Sequence, residues 1–248
     1  MLCNKLIGIN MIVSISIVRY KPLMVPFALL AMAIHRIPLS LNPKCRFWKL
    51  MGNGKDGTFD LQPDWQQWAT LTVWNSIVEA DRFNEKSFIS WWWKFFCSEK
   101  LQILCVPLAS HGQWNGNDPF KMDLYDKNYS GPVAVLTRAS IRLNKLKAFW
   151  SNVNPVAKIM SQAKGYITSF GIGEVPFLRQ GTFSVWDSME AMKAFAYQSK
   201  EHAEVIKKTR MENWYSEELF ARFKIVSCSG SLKGKNPLDY IEIKPDSV

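Results

Sequence analysis

The chain has 248 residues, enough for one large domain or two small ones, and its 48% hydrophobic and 21% charged residues are ordinary globular proportions. Five cysteines, at positions 3, 45, 97, 105 and 228, contain no C-x-x-C pair, which argues against a disulfide framework or a zinc site and for a reducing, cytoplasmic compartment. A net charge of +10 with eleven Trp and fifteen Phe points to wide aromatic surfaces or an apolar cavity and to an acidic partner: nucleic acid, an anionic membrane surface or an acidic electron-transfer protein.

Residues 1–10 read as an extension outside the fold, because MIVSISIVRY, from Met11, already alternates like a strand. An apolar helix is expected from about Leu23 to Arg36. Its apolar run is too short to span a bilayer and reads as a buried helix or a shallow membrane contact. A Pro-broken connection through Pro38 and Pro43 leads to a strand, RFWKLMGNG, and WATLTVW, ending at Trp74, is the next. Ser76 with Glu79 forms a capping box for a helix that carries Phe83 inward. The aromatic run FISWWWKFF precedes a fourth strand, LQILCVPL, and residues 112–130 are rich in turn formers and read as a linker.

After residue 130 the pattern repeats: strand GPVAVLTRASIR, basic amphipathic helix LNKLKAFWSNV, strand GYITSFGIG, strand GTFSVW. TLTVWNS matches TFSVWDS, and Trp74 to Trp186 and Phe83 to Phe195 are both 112 residues apart. GQWNGNDPF from Gly112 matches GSLKGKNPL from Gly230, now 118 apart, so the second copy has gained about six residues before its last strand. Two β-α-β-β-α-β copies predict an α+β fold of two ferredoxin-like repeats, residues 11–111 and 131–238. Each leaves an apolar sheet face to cover, so the two are expected to form an intrachain dimeric α+β barrel, with a pocket inside it or between sheet and helix.

The inserted stretch lies in YQSKEHAEVIKKTRMENWYSEELFARF, from Tyr197 to Phe223. Ser199 suits the N-cap of a helix in which His202 occupies the first turn, where the dipole favours the neutral, metal-ligating imidazole. His202 shares a face with Ile206 and Thr209, while Lys207, Lys208 and Arg210 lie towards its edges. A lone histidine on a half-apolar face also serves as hydrogen-bonded packing. SEELFARF reads as a short helix with a solvated Glu218–Arg222 pair. His35 and His111 lack acidic or thiol neighbours at ligand spacing. Cys97 and Cys105 read as buried thiols rather than iron ligands. Gly52-x-Gly54 and Gly171-x-Gly173 lack the third glycine of a nucleotide fingerprint and read as turn glycines. The aromatics recur at strand and helix periods, which favours core over stacking on nucleic acid.

RFWKLMGNGKDGTF, WATLTVW, HGQWNGNDPF, GPVAVLTRASIR, FGIGEVPFLRQGTFSVW and NWYSEELFARF together resemble the spheroidene monooxygenase (acyclic carotenoid 2-ketolase) family, in order, from about Met11 to Leu238. The resemblance implies an oxidoreductase that uses haem iron, O2 and reduced ferredoxin to oxidise an acyclic carotenoid near its end. On these positions it implies His202 as axial haem ligand and Lys207, Lys208 or Arg210 as propionate partners, with Trp214 and Tyr215 lining the distal space. A solvated basic face and core packing account equally for those cations and rings. Trp91-Trp92-Trp93 has no place in the pattern. The expected location is cytoplasmic, with a peripheral contact to the inner membrane through residues 23–34. A haem-degrading barrel and a non-enzymatic basic module remain the alternatives.

Overall fold

The computed structural model describes residues 11–55, 62–122, 129–198 and 207–239. In chain order these form β1 (Ile12–Tyr20), α1 (Val25–Ile34), α2 (Arg36–Ser40), β2 (Cys45–Gly54), β3 (Pro63–Trp74), α3 (Ile77–Lys86), α4 (Phe88–Phe96) and β4 (Cys97–Gly112). There follow β5 (Val133–Ile141), α5 (Leu146–Ser161), β6 (Tyr166–Val175), β7 (Arg179–Trp186), α6 (Met189–Gln198) and β8 (Tyr215–Gly230). Hydrogen bonding links the strands in the order β1-β3-β2-β6-β7-β5-β8-β4, which closes on itself as the expected α+β barrel.

The chain divides into two compact units that interleave in sequence: Met1–Gly52, Asp64–Pro107 and Ile225–Val248 make the first, Asn53–Pro63 and Leu108–Lys224 the second. In the first unit, β1 is central, paired antiparallel with β3 and β4. Its helices rest on a cluster of Trp74, Phe83, Ile89, Trp92, Trp93, Phe96 and Leu104. Complete burial of one such side chain stabilises by roughly 1.5–3 kcal/mol. In the second unit, β5 is central between β7 and β8, and Trp186, Met189 and Met192 pack with Val133 and Val135.

The internal repeat extends to single hydrogen bonds. The Trp74 indole donates to Thr72 Oγ1 at 2.8 Å, and Trp186 donates to Ser184 Oγ at 3.0 Å. Ser76 accepts from the amide of Glu79 and Ser188 from that of Ala191, so each unit caps the corresponding helix in the same way. The turn after β4 gives the Gly116 amide to Glu217, and the turn after β8 gives the Gly234 amide to Glu99. Gly112 and Gly230 both have φ near the left-handed region, +94° and +81°, and a Cβ at either would collide with a strand carbonyl, that of Glu218 or Lys100.

Three local expectations are corrected. SEELFARF is not helical but opens β8, because its alternate residues Leu219, Ala221 and Phe223 bury one face while β5 supplies backbone partners. Glu218 and Arg222 are then about 13 Å apart along the strand, too far to pair. The two Gly-x-Gly pairs lie inside β2 and β6, not in turns. Pro38 does not break the connection: it sits in the first turn of α2, where a missing amide costs nothing, and residues 22–40 are helical almost throughout.

Candidate functional site

In the second unit the helix-side face of the sheet can be read row by row. Trp186 and Ser184 share that face through their hydrogen bond, and Arg222 reaches Met189 of α6, its Nη1 lying 3.5 Å from the sulfur. Strand register then sets Ser169, Ser184, Val135 and Arg222 in one row, and Gly171, Thr182, Thr137 and Phe220 in the next. A central strand paired on both sides normally buries its helix-side residues. Thr137 is nevertheless exposed, the one break in a run of buried residues along β5 up to Ala139.

Beside this opening the polar groups are incompletely satisfied. Arg222 Nε and Thr182 Oγ1 are buried without a hydrogen-bond partner. A buried guanidinium nitrogen left unpaired carries a large desolvation penalty, which an anionic or oxygen-bearing ligand would relieve. The surrounding wall is apolar and aromatic: Phe195 stacks on Trp186 at 5.2 Å, Tyr166 meets Trp186 edge-on at 5.7 Å, and Met192 and Phe220 complete it. The Tyr166 hydroxyl lies 2.7 Å from Ser169 Oγ, and burial raises its pKa.

His202 lies outside the described residues. The helical residues 207–211 beyond it expose Lys207, Lys208 and Arg210 and bury Thr209, the orientation expected for that helix. Trp214 is fully buried with Ile141 and Phe149; its indole donates to Glu212 at 2.9 Å, and Lys208 Nζ lies 5.9 Å from its ring centre. The indole bond, aided by Lys208 and Lys145, holds the Glu212 carboxyl below its ordinary range. Tyr215 packs on the same cluster, and burial pushes its hydroxyl up to about 12, against a hydrogen bond from Thr209. Both rings thus clamp the segment after His202 to the sheet.

Sequence reading missed Arg222 and Thr137. Arg222 was assigned a solvated helical pair, and only the strand assignment turns it towards α6. The other histidines occupy different surroundings: His111 is exposed at the end of β4, and His35 is buried in the first unit. Burial raises the thiols of Cys45, Cys97, Cys105 and Cys228, which keeps them protonated and weakly nucleophilic. No group of three His, Cys, Asp or Glu that could hold a metal occurs among the described residues. A haem asks less of the protein, an axial donor and partners for its carboxylates. Of these, the described part of the second unit offers a carboxylate partner, the buried and unpartnered guanidinium nitrogen of Arg222 beside aromatic walls.

Two relatives align with most of this chain. One, from Rhodobacter capsulatus and named spheroidene monooxygenase, is 33% identical over 214 residues, 86% of this chain and 89% of its own. This chain belongs to the spheroidene monooxygenase family. The protein of that name from Cereibacter sphaeroides is 34% identical over 208 residues, 84% of this chain, which spans only 64% of the relative's length. A family model described as a domain of unknown function, DUF3291, matches residues 133–223, the run from β5 into β8. Among solved structures, an aldoxime dehydratase shares the fold, with a TM-score of 0.56 at 10% identity over 87% of this chain and 79% of its own. Both relatives are named as monooxygenases.

Proposed function

We propose that the chain is a haem-dependent monooxygenase that oxidises an acyclic carotenoid near its end, using O2 and electrons from a reduced ferredoxin. The observation that carries this reading is the opening at Thr137, flanked by the buried, unpartnered Nε of Arg222. Haem, held through His202, would supply the redox centre at which O2 is reduced for insertion beside the polyene.

The remaining roles fall to this chain's own residues. Arg222 offers a guanidinium to a haem carboxylate, and Lys207, Lys208 and Arg210 offer exposed cations to a second carboxylate or to an acidic ferredoxin. Trp186, Phe195 and Phe220 exclude water and give an apolar wall to a long hydrocarbon. Trp214 and Tyr215 position the segment that carries His202, through Glu212 and Thr209. Hydroxylation gives an alcohol. A second hydroxylation at the same carbon gives a geminal diol, which loses water to the ketone.

The test is the absorption spectrum of protein expressed with added haem, wild type beside His202→Ala, followed by carotenoid turnover with reduced ferredoxin. A Soret band present in wild type and lost in the variant is expected. No Soret band in either protein overturns the mechanism, and a biliverdin-like product in a single turnover moves the chain to haem degradation.

A further inference from the structure

We infer that the first unit docks on an anionic lipid bilayer through one face built from α1, α2 and α4. The helix α1, VPFALLAMAI, contains no polar residue, yet buries only Ala28 and Ala31; His35 and Leu39 continue that inward stripe at helical spacing. Small residues on the inner side let the helix lie close to the sheet. The large ones are therefore left outside: Leu29 of α1 is 49% exposed and Leu30 47%, and the flanking Leu23, Ile37 and Leu41 are more exposed still. In α4, Phe88, Trp91 and Phe95 point outward at spacings of three and four, while Ile89, Trp92, Trp93 and Phe96 point inward. The outward rings of Trp91 and Phe95 stack 6.0 Å apart. Phe27 stacks on Phe96 at 4.3 Å and His35 meets Trp92 at 5.5 Å, so the two exposed faces adjoin.

Within residues 21–44 and 87–96 the charged side chains, Lys21, Arg36, Lys44 and Lys94, are all basic and exposed; Lys44 is paired with Glu79 of α3 at 3.6 Å, which leaves Lys21, Arg36 and Lys94 as the cations of the rim. Hydrogen bonds from Lys21 Nζ to the Phe95 carbonyl, 3.1 Å, and from Arg36 Nε to the Met32 carbonyl, 2.9 Å, hold two of these cations beside the patch. An exposed apolar and aromatic face bordered by cations is the composition that seats in the headgroup region of anionic lipid. A second copy of the chain fits less well, because a two-fold contact brings the patch against itself and sets like charges together. Because the helix continues past Ile34, residues 22–40 are, contrary to the expectation from the apolar run alone, long and apolar enough to cross a membrane. Their Ala28, Ala31, His35 and Leu39 side is packed into the unit, however, so the helix lies along the surface. In the second unit α5 exposes Lys147, Ser151 and Lys158 instead.

The use of this face, drawing substrate from the bilayer, rests on the carotenoid reading; the docking itself does not. The full chain is sedimented with extruded vesicles of phosphatidylcholine, with and without phosphatidylglycerol, beside W91E/F95E and K21E/K94E, each checked for an unchanged melting transition. Wild type is expected to bind the anionic vesicles. W91E/F95E should weaken binding at least about tenfold, as two half-exposed rings no longer enter apolar surroundings. K21E/K94E should lose mainly the preference for phosphatidylglycerol. Wild type that ignores both vesicles, W91E/F95E that binds as wild type does, or a dimer abolished by W91E/F95E without vesicle binding would each overturn the proposal. Turnover of detergent-dispersed carotenoid by W91E/F95E separates a failed docking surface from a failed enzyme assignment.

Discussion

The helix-side sheet faces of the two units descend from the same pattern and have reached opposite states. In the first, Ser14, Thr72 and Leu104 form the row that Val135, Ser184 and Arg222 form in the second; Ser16, Thr70 and Gln102 answer Thr137, Thr182 and Phe220. All six of the first-unit residues are buried. Ser16 bonds Asn84 of α3 at 3.5 Å, the Ser90 hydroxyl donates to the Asn84 carbonyl at 2.5 Å, and the rings of α4 close the face. In the second unit, Thr137 is exposed and the arginine standing where the first has leucine keeps an unpaired nitrogen. Both faces carry polar rows, and Ser14 Oγ of the first is unpartnered too, but aromatic helix side chains cover that face fully, whereas the second leaves Thr137 exposed beside the unpaired guanidinium nitrogen. The tryptophans of α4 thus serve the filled face and its outer surface.

The comparison can be broken by transplanting residues from one unit to the other. The largest effect is expected at Arg138, which stands where β1 has Ile17 and pairs with Glu217 and, at 3.2 Å, with Glu174, with the Trp114 ring 5.5 Å away. Arg138→Ile leaves carboxylates without their buried cation and should cost about 3–5 kcal/mol in chemical denaturation. His35 comes next. Burial lowers its pKa from 6.5 to about 4, and its Nε2 has no partner among the surrounding rings. The unfolded chain takes up the proton first, so stability should be constant above pH 6.5 and fall by about 3 kcal/mol towards pH 4. His35→Leu should flatten that part of the pH profile; an unchanged profile would assign the acid sensitivity to other groups.

Arg222→Leu gives the second face the residue of the first. Under the proposed haem-dependent function it should reduce haem affinity or turnover about 10–100-fold while leaving the melting temperature unchanged or higher. Equal loss of stability and activity would mean that the arginine braces the fold instead. The smallest effects test the repeat itself: Ser76→Ala and Ser188→Ala should each cost about 1 kcal/mol, with similar values because both hydroxyls accept one first-turn amide.

The sequence by itself determined the duplicated α+β pattern, the cap at Ser76, and the placing of Lys207, Lys208 and Arg210 away from the inward helix face, since each depends on side-chain period or on neighbours a few residues away. It also carried the family through motifs spread along the chain. Tertiary structure alone decided the register that joins Arg222 to Thr137 and Thr182, because cross-strand neighbours come from residues scores apart and a strand can look helical over eight residues. It likewise decided that the segment containing Pro38 continues as helix, and that α1 and α4 meet to expose one apolar face, both outcomes of which surface the sheet leaves for each helix to cover.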